Sequence, residues 1–307
     1  MSTEIKNKIT LASSFIDEAF DTQKVSDYQL TLQIGIDGIL VAINEKHPPG
    51  HSTIVRTTSN ELPKNKFIAF ESYRFQYLYG FEAISEILDV LTIESRLIPH
   101  KYGTVACVMV NNLSTIIPSP LFENDKKGMY LKFNATLQVD ELVEIDELKN
   151  LDAKNIFALP SGLKKKLGDL YNKVTYHHFS SVLIEDLLFQ NTNQIIKKLF
   201  VHVQPSHFEA LVIEGKKLLF YNTFNHHTAE DFIYYLLFVC EQLQLNPENI
   251  EVVLLGEIEK NSEIYSITQK YIRNLKFGER TDDADFSYQL QTIAKHHYFT
   301  IFNNYLQ

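Results

Sequence analysis

At 307 residues the chain has room for about two domains of roughly 150 residues each, and 45% hydrophobic with 22% charged residues is the balance of a folded protein. A formal net charge of −9 argues against a general nucleic-acid binder, whose footprint is a strongly basic face. The two cysteines, Cys107 and Cys240, form no CxxC motif and sit in apolar runs, which argues against thiolate zinc and dithiol redox chemistry and for two small buried hydrophobes in a reducing compartment.

The opening residues 1–6 make no apolar leader, and no stretch reaches the length of a membrane span, so a cytoplasmic location is expected. Residues 1–25 read as a polar lead-in with a short helix or strand. Residues 28–35 alternate apolar and polar, the period of a half-buried strand. A turn at Ile36-Asp37-Gly38 leads into a second strand over 39–43. The Pro-, His-, Ser- and Thr-rich stretch to Asn65 is a long hairpin or an exposed loop. A third strand starts at Lys66, and Phe81, Ile84, Ile87, Leu88 and Leu91 recur at helical spacing. Residues 104–110 are wholly apolar, as in a strand buried on both faces. An extended segment over 114–117 stops at Pro118, residues 121–133 read as helix, and 141–146 and 155–159 as short strands. Pro160 and Ser161 open a helix to Leu170. A strand over 174–178 and a helix from Ser180 to about Gln190 follow.

The second half repeats this grammar. Strands over 198–203, 208–213 and 217–221 are joined by turns at Pro205-Ser206 and at Gly215-Lys216. Thr228 with Asp231 three residues on makes a capping box for a helix to Leu243 whose apolar surface runs nearly all round. Asn246-Pro247 breaks the chain. A buried strand over 250–255 ends at Gly256, a helix runs from Ser262 to about Asn274, and 275–277 is a last strand. Residues 286–306 read as a C-terminal helix.

Three strands in hairpin order, then helix, parallel strand, helix and strand is the order of a ribonuclease-H-like, actin-like lobe. Residues 198–278 fit it, and residues 28–112 echo its first part. The chain therefore resembles the actin-like ATPase superfold, in which that unit is duplicated. With the Ile156-Phe157-Ala158-Leu159-Pro160 run and Tyr176-His177-His178, it also resembles an uncharacterised bacterial family of unknown function with this fold. More distantly it is similar to the actin-like assembly proteins of type IV pilus and type II secretion systems, and to the cell-division actin homologues. The resemblance implies an α/β chain of two lobes, each a mixed five-stranded sheet with flanking helices. The first lobe spans 1–190 with an inserted subdomain over about 113–190. The second spans 191–307 and includes the C-terminal helix.

In active members of the superfold, a carboxylate ends the first strand of each lobe and a Gly-Ser/Thr turn offers backbone N–H groups to phosphate. The carboxylate positions Mg²⁺ or water. Here Gln33 stands at the first carboxylate position, with Gly35, Asp37 and Gly38 after it. His202 stands at the second, Gln204 takes the glycine place, and Pro205 removes a donor before Ser206. The adenosine-side glycine pair survives only as Gly256. Phosphoryl transfer is almost entirely positioning and electrostatics, so these losses imply a non-catalytic scaffold that binds a protein partner and takes no cofactor. The rival is a divergent ATPase or kinase binding ATP and Mg²⁺ with Asp37, Glu209 or Glu257 as substitute carboxylates. The pairs His177-His178, His226-His227 and His296-His297 read as structural. Neighbours on a strand point to opposite faces, and zinc needs three or four converging ligands.

Overall fold

The computed structural model describes residues 8–45, 65–281 and 284–302. The opening residues and nearly all of the polar stretch before Asn65 lie outside these. In chain order the first half gives β1 (Ile9–Ile16), β2 (Tyr28–Ile34), β3 (Gly38–Glu45), β4 (Lys66–Phe75), α1 (Ile84–Glu94) and β5 (Thr104–Met109). Then come β6 (Ser114–Pro118), α2 (Lys127–Asn134), β7 (Glu141–Leu148), β8 (Ala153–Pro160), α3 (Ser161–Leu170), β9 (Val174–His178) and α4 (Phe179–Asn191). The second half gives β10 (Lys197–Val203), β11 (His207–Glu214), β12 (Lys217–Asn225), α5 (Ala229–Gln242), β13 (Glu251–Gly256), α6 (Glu263–Tyr271), β14 (Asn274–Phe277) and β15 (Asp285–Phe286).

Two large sheets share one topology. The first runs β1-β4-β3-β2-β5-β9, with β15 also on β4; the second runs β12-β11-β10-β13-β14. In each, the first three strands of the five-strand core are antiparallel and the last two join in parallel. The first sheet therefore has seven strands where five were expected, because β1 and β15 divide the outer edge of β4 between them.

The layers follow from strand alternation. Leu30, Leu32 and Ile34 of β2 face Ile87, Leu88 and Leu91 of α1 and Leu163 and Leu167 of α3 in one core. Thr31 and Gln33 point to the opposite face and are buried too. The half-buried pattern expected over 28–35 is corrected: both faces of β2 are covered. The second cover is α4 with Phe299, which fill the space between the two sheets against Ala106 and Val108 on one side and Phe200, Leu211 and Leu255 on the other. On the far side of the second sheet, Phe232, Leu236 and Val239 of α5 pack with Leu199, Val201 and Leu254. Tyr234 and Phe238 of α5 remain exposed, so its apolar surface is not wholly used.

A separate three-stranded sheet, β6-β8-β7, carries α2 over Leu131, Ile156 and Ala158. Polar side chains dock it. Asp146 accepts from the His178 N–H at 2.7 Å and lies 2.9 Å from His177 Nδ1. Asn155 donates to Ser180 and Ser181 at 2.9 and 2.8 Å.

Two helices are shorter than their apolar spacing suggests, and a third is not formed in the described residues. Residues 119–126 form single 3-10 turns around Pro120, and only Lys127–Asn134 is helical. There the Tyr130 hydroxyl accepts from Glu123 N–H and donates to Leu121 O, holding the turns open. The helix from Ser262 ends at Tyr271, where the chain extends to pair with β13. The expected C-terminal helix is absent from the described part of the tail. That part is β15, one 3-10 turn (Leu290–Thr292) and further turns, with Tyr298 at φ 49°. Its apolar residues are held individually: Leu290, Ile293, Ile301 and Phe302 pack on Leu40, Phe67 and Phe70, whereas Phe299 enters the space between the sheets. No helix among the described residues is long and apolar enough to cross a membrane.

Candidate functional site

The turns after β2 and β10 are built alike. Gly35 N–H donates to Gly38 O at 3.0 Å, and Gln204 N–H to His207 O at 2.9 Å. Gly35, Ile36, Asp37 and Gly38 thus correspond to Gln204, Pro205, Ser206 and His207, and Gln33 corresponds to His202. The two turns meet: Ser206 Oγ donates to Asp37 Oδ2 at 3.1 Å. A second bridge joins Arg74 of β4 to Glu257, just past β13. A third runs from the tail, where Thr300 Oγ1 donates to the buried Gln33 Oε1 at 2.7 Å. The space bounded by Gln33, Gly35, Arg74, Gln204 and Glu257 is ≈ 10 Å³, room for about one water.

Three backbone donors at the turns are already bonded within the chain. Gly35 and Gln204 close their own turns, and Gly256 N–H donates to His296 O at 2.8 Å. Gly256 sits at φ 81°, where an added Cβ would stand 2.2 Å from Val203 O. Its glycine serves a close backbone approach and the left-handed region, not an open face.

The carboxylates are occupied as well. Glu209 is buried on β11 and accepts from Gln204 Nε2 at 3.2 and 3.3 Å. His207 Nε2 lies 3.2 Å from its Oε1. His202 Nδ1 lies 3.4 Å from its Oε2, out of line for a hydrogen bond, and the His202 ring packs edge-on to Phe179 at 5.0 Å. Burial would raise the Glu209 carboxyl, yet His207 and His202 beside it hold it down at about 2. Burial works against a charged His207, but Glu209 overrides it and lifts His207 above its ordinary value. Among the described residues no three His, Cys, Asp or Glu side chains converge on a metal position.

The histidine pairs have separate partners. His178 is fully buried, caps α4 by accepting from Ser180 N–H at 3.2 Å, and is pushed down to about 4 by burial. His226 packs beside Phe208 and Phe232, with Nε2 3.2 Å from Gln204 O, bracing the second turn. His296 stacks on Phe277 at 4.2 Å, and its Nε2 lies 2.9 Å from Ile258 O. Sequence reasoning missed Arg74 and Thr300. Nothing local marks either, because each meets its partner through the fold.

A profile of the family described as "Protein of unknown function (DUF3822)" matches residues 17–275. No curated protein matches the sequence. Among solved structures, a Bacteroides thetaiotaomicron VPI-5482 protein with actin-like ATPase fold and unknown function is similar at TM-score 0.69 and 24% identity, covering 89% of this chain and 97% of that one. PilM, in the PilM–PilN type IV pilus biogenesis complex, is similar at TM-score 0.56 and 14% identity, covering 87% of this chain and 95% of that chain. The fold is thus the actin-like, two-lobed α/β fold.

Proposed function

The chain belongs to DUF3822, a family of proteins of unknown function, and we propose that it is a scaffold that works without nucleotide or metal and binds another protein. The contact between the two turns carries this reading: the groups that would face a phosphate, Asp37 and Ser206, face each other at 3.1 Å. Arg74 on Glu257 closes the same cleft, and the N–H groups of Gly35, Gln204 and Gly256 are already bonded. Of the three substitute carboxylates, Asp37 is taken by Ser206, Glu257 by Arg74, and Glu209 by Gln204 and His207, with His202 beside it. Phosphoryl transfer needs those groups free and aimed at substrate. The protein partner rests on analogy of fold with PilM, which is solved in complex with PilN.

Thermal unfolding with and without millimolar Mg-ATP tests the reading. A ligand present at 100 times its Kd adds about 2.7 kcal/mol of stability, an unmistakable rise in Tm. The scaffold reading expects no rise. A rise that disappears in Asp37→Ala overturns it in favour of a divergent ATPase.

A further inference from the structure

A groove of ≈ 680 Å³ runs between the inserted subdomain and the second lobe, within the range of about 300–1,000 Å³ typical of ligand pockets. Its walls are the outer strands of two different sheets, β6 and β12.

Both strands present unpaired backbone. In the β6–β8 ladder, Ala158 N–H donates to Leu113 O and Ser119 N–H to Asp152 O. Alternation then turns the backbone groups of Ser114 and Ile116 away from β8 and toward the groove. In the β11–β12 ladder, His226 N–H donates to Ser206 O, and Ala210 and Phe208 pair with Asn222 and Phe224. The same alternation turns Tyr221 and Thr223 outward. The Thr223 N–H is met by the Asn222 side chain at 2.9 Å instead of by a strand.

Exposed edges are ordinarily blunted by charge, proline or a bulge. Here Pro118 closes one end of β6, and a register shift interrupts β12 near its hairpin. Between these points neither edge carries a charge, a proline or a bulge, and only the Thr223 N–H is occupied, by the Asn222 side chain. Residues 111–121 and 218–225 contain no charged side chain, and no described residue lining the groove is charged, in a chain of net charge −9. A charged segment entering here would lose its water with no counter-charge to meet it.

We propose that the groove takes an extended, uncharged segment of a partner protein, which adds as a strand to one or both edges. Main-chain hydrogen bonds to Ser114, Ile116 and Tyr221 supply the binding, and alternate small or apolar side chains enter between Ile116, Ala153 and Phe220. This rests on the partner-binding reading above and gives that partner a site and a chemistry.

Displayed peptides of about ten residues, a strand's length, are selected on the full chain, and the best is synthesised with a fluorescent label. The expected sequence alternates apolar and small polar residues without charge. Its affinity falls at least about tenfold in Ser114→Pro, which removes an outward N–H without taking a ladder bond from β8, and in Asn222→Lys, which places charge on the other edge. Amide exchange over 114–118 and 218–225 slows on binding. Unchanged Tm and unchanged exchange in α5 show that each variant is folded, and if one fails to fold the other decides. Absence of any enriched peptide, or a peptide that binds both variants like the wild type, overturns the proposal. So does dimerisation of the chain that both variants abolish, which assigns the groove to a second copy. Failure of the peptide in a chain that Mg-ATP leaves unstabilised refutes the groove alone. Stabilisation by Mg-ATP refutes the scaffold reading itself.

Discussion

Replacing Glu209 by Gln tests the charge balance at the meeting of the two turns. Glu209 is held at about 2, against an ordinary 4.5, while buried beside His207 and His202. A depressed carboxylate stabilises the fold fully above 4.5, and the gain is lost as pH falls from there through 2. Two and a half pH units correspond to on the order of 3 kcal/mol. His207 has the opposite sign. Raised above 6.5, its contribution is complete below 6.5 and is lost as pH climbs through its folded value. The pair therefore supports the fold most between 4.5 and 6.5. His178, His226 and His296 are all held down by burial and also weaken the fold in acid, so only the difference between wild type and variant is read. Urea unfolding from pH 3 to 9 should show Glu209→Gln costing about 3 kcal/mol near pH 5.5, within the range for breaking a buried pair. The cost should shrink toward both ends. An equal cost at every pH would mean that Glu209 acts by shape and hydrogen bonding alone.

Gly256→Ala should lower stability by about 2–4 kcal/mol, because it strains a φ of 81° and drives a Cβ toward Val203 O; a Tm within a degree of wild type would contradict this. Thr228→Ala removes the hydroxyl of a complete capping box on α5 and should cost about 1 kcal/mol in urea unfolding. Cys107 and Cys240 are buried, and burial pushes their thiols up to about 12 and about 11. Neither should react with a thiol reagent at pH 8 until the chain unfolds; fast labelling of the native protein would refute the packing at β5 or α5.

What was legible in the sequence was what is decided nearby. The Thr228-Asp231 box, the Gly215-Lys216 turn with Gly215 at φ 60°, and the alternating strands all depend on residues a few positions apart. Strand order then followed from the sequence of hairpins and crossovers. The tail was misread because apolar residues at near-helical intervals can also be pinned singly to distant partners. Phe302 against Phe67 and Phe299 between the sheets are contacts that no window of twenty residues contains. Gln33, His202 and Pro205 were recognisable as departures from a phosphate turn. That Asp37 is met by Ser206, and Glu257 by Arg74, was not, since the bonded residues lie far apart in the chain.

The tail also bears on how the protein is made. Lys66 pairs with Asp285, and Gln33 is bonded by Thr300. During synthesis the first sheet is finished only after the second has left the ribosome. Until then Gln33 lacks its bond from Thr300, and the Lys66 end of the outer edge of β4 is unpaired beside a nascent second lobe of the same strand order. Long-range closure of this kind is slow, and a half-made first lobe offers an unpaired edge that a neighbouring nascent chain can occupy.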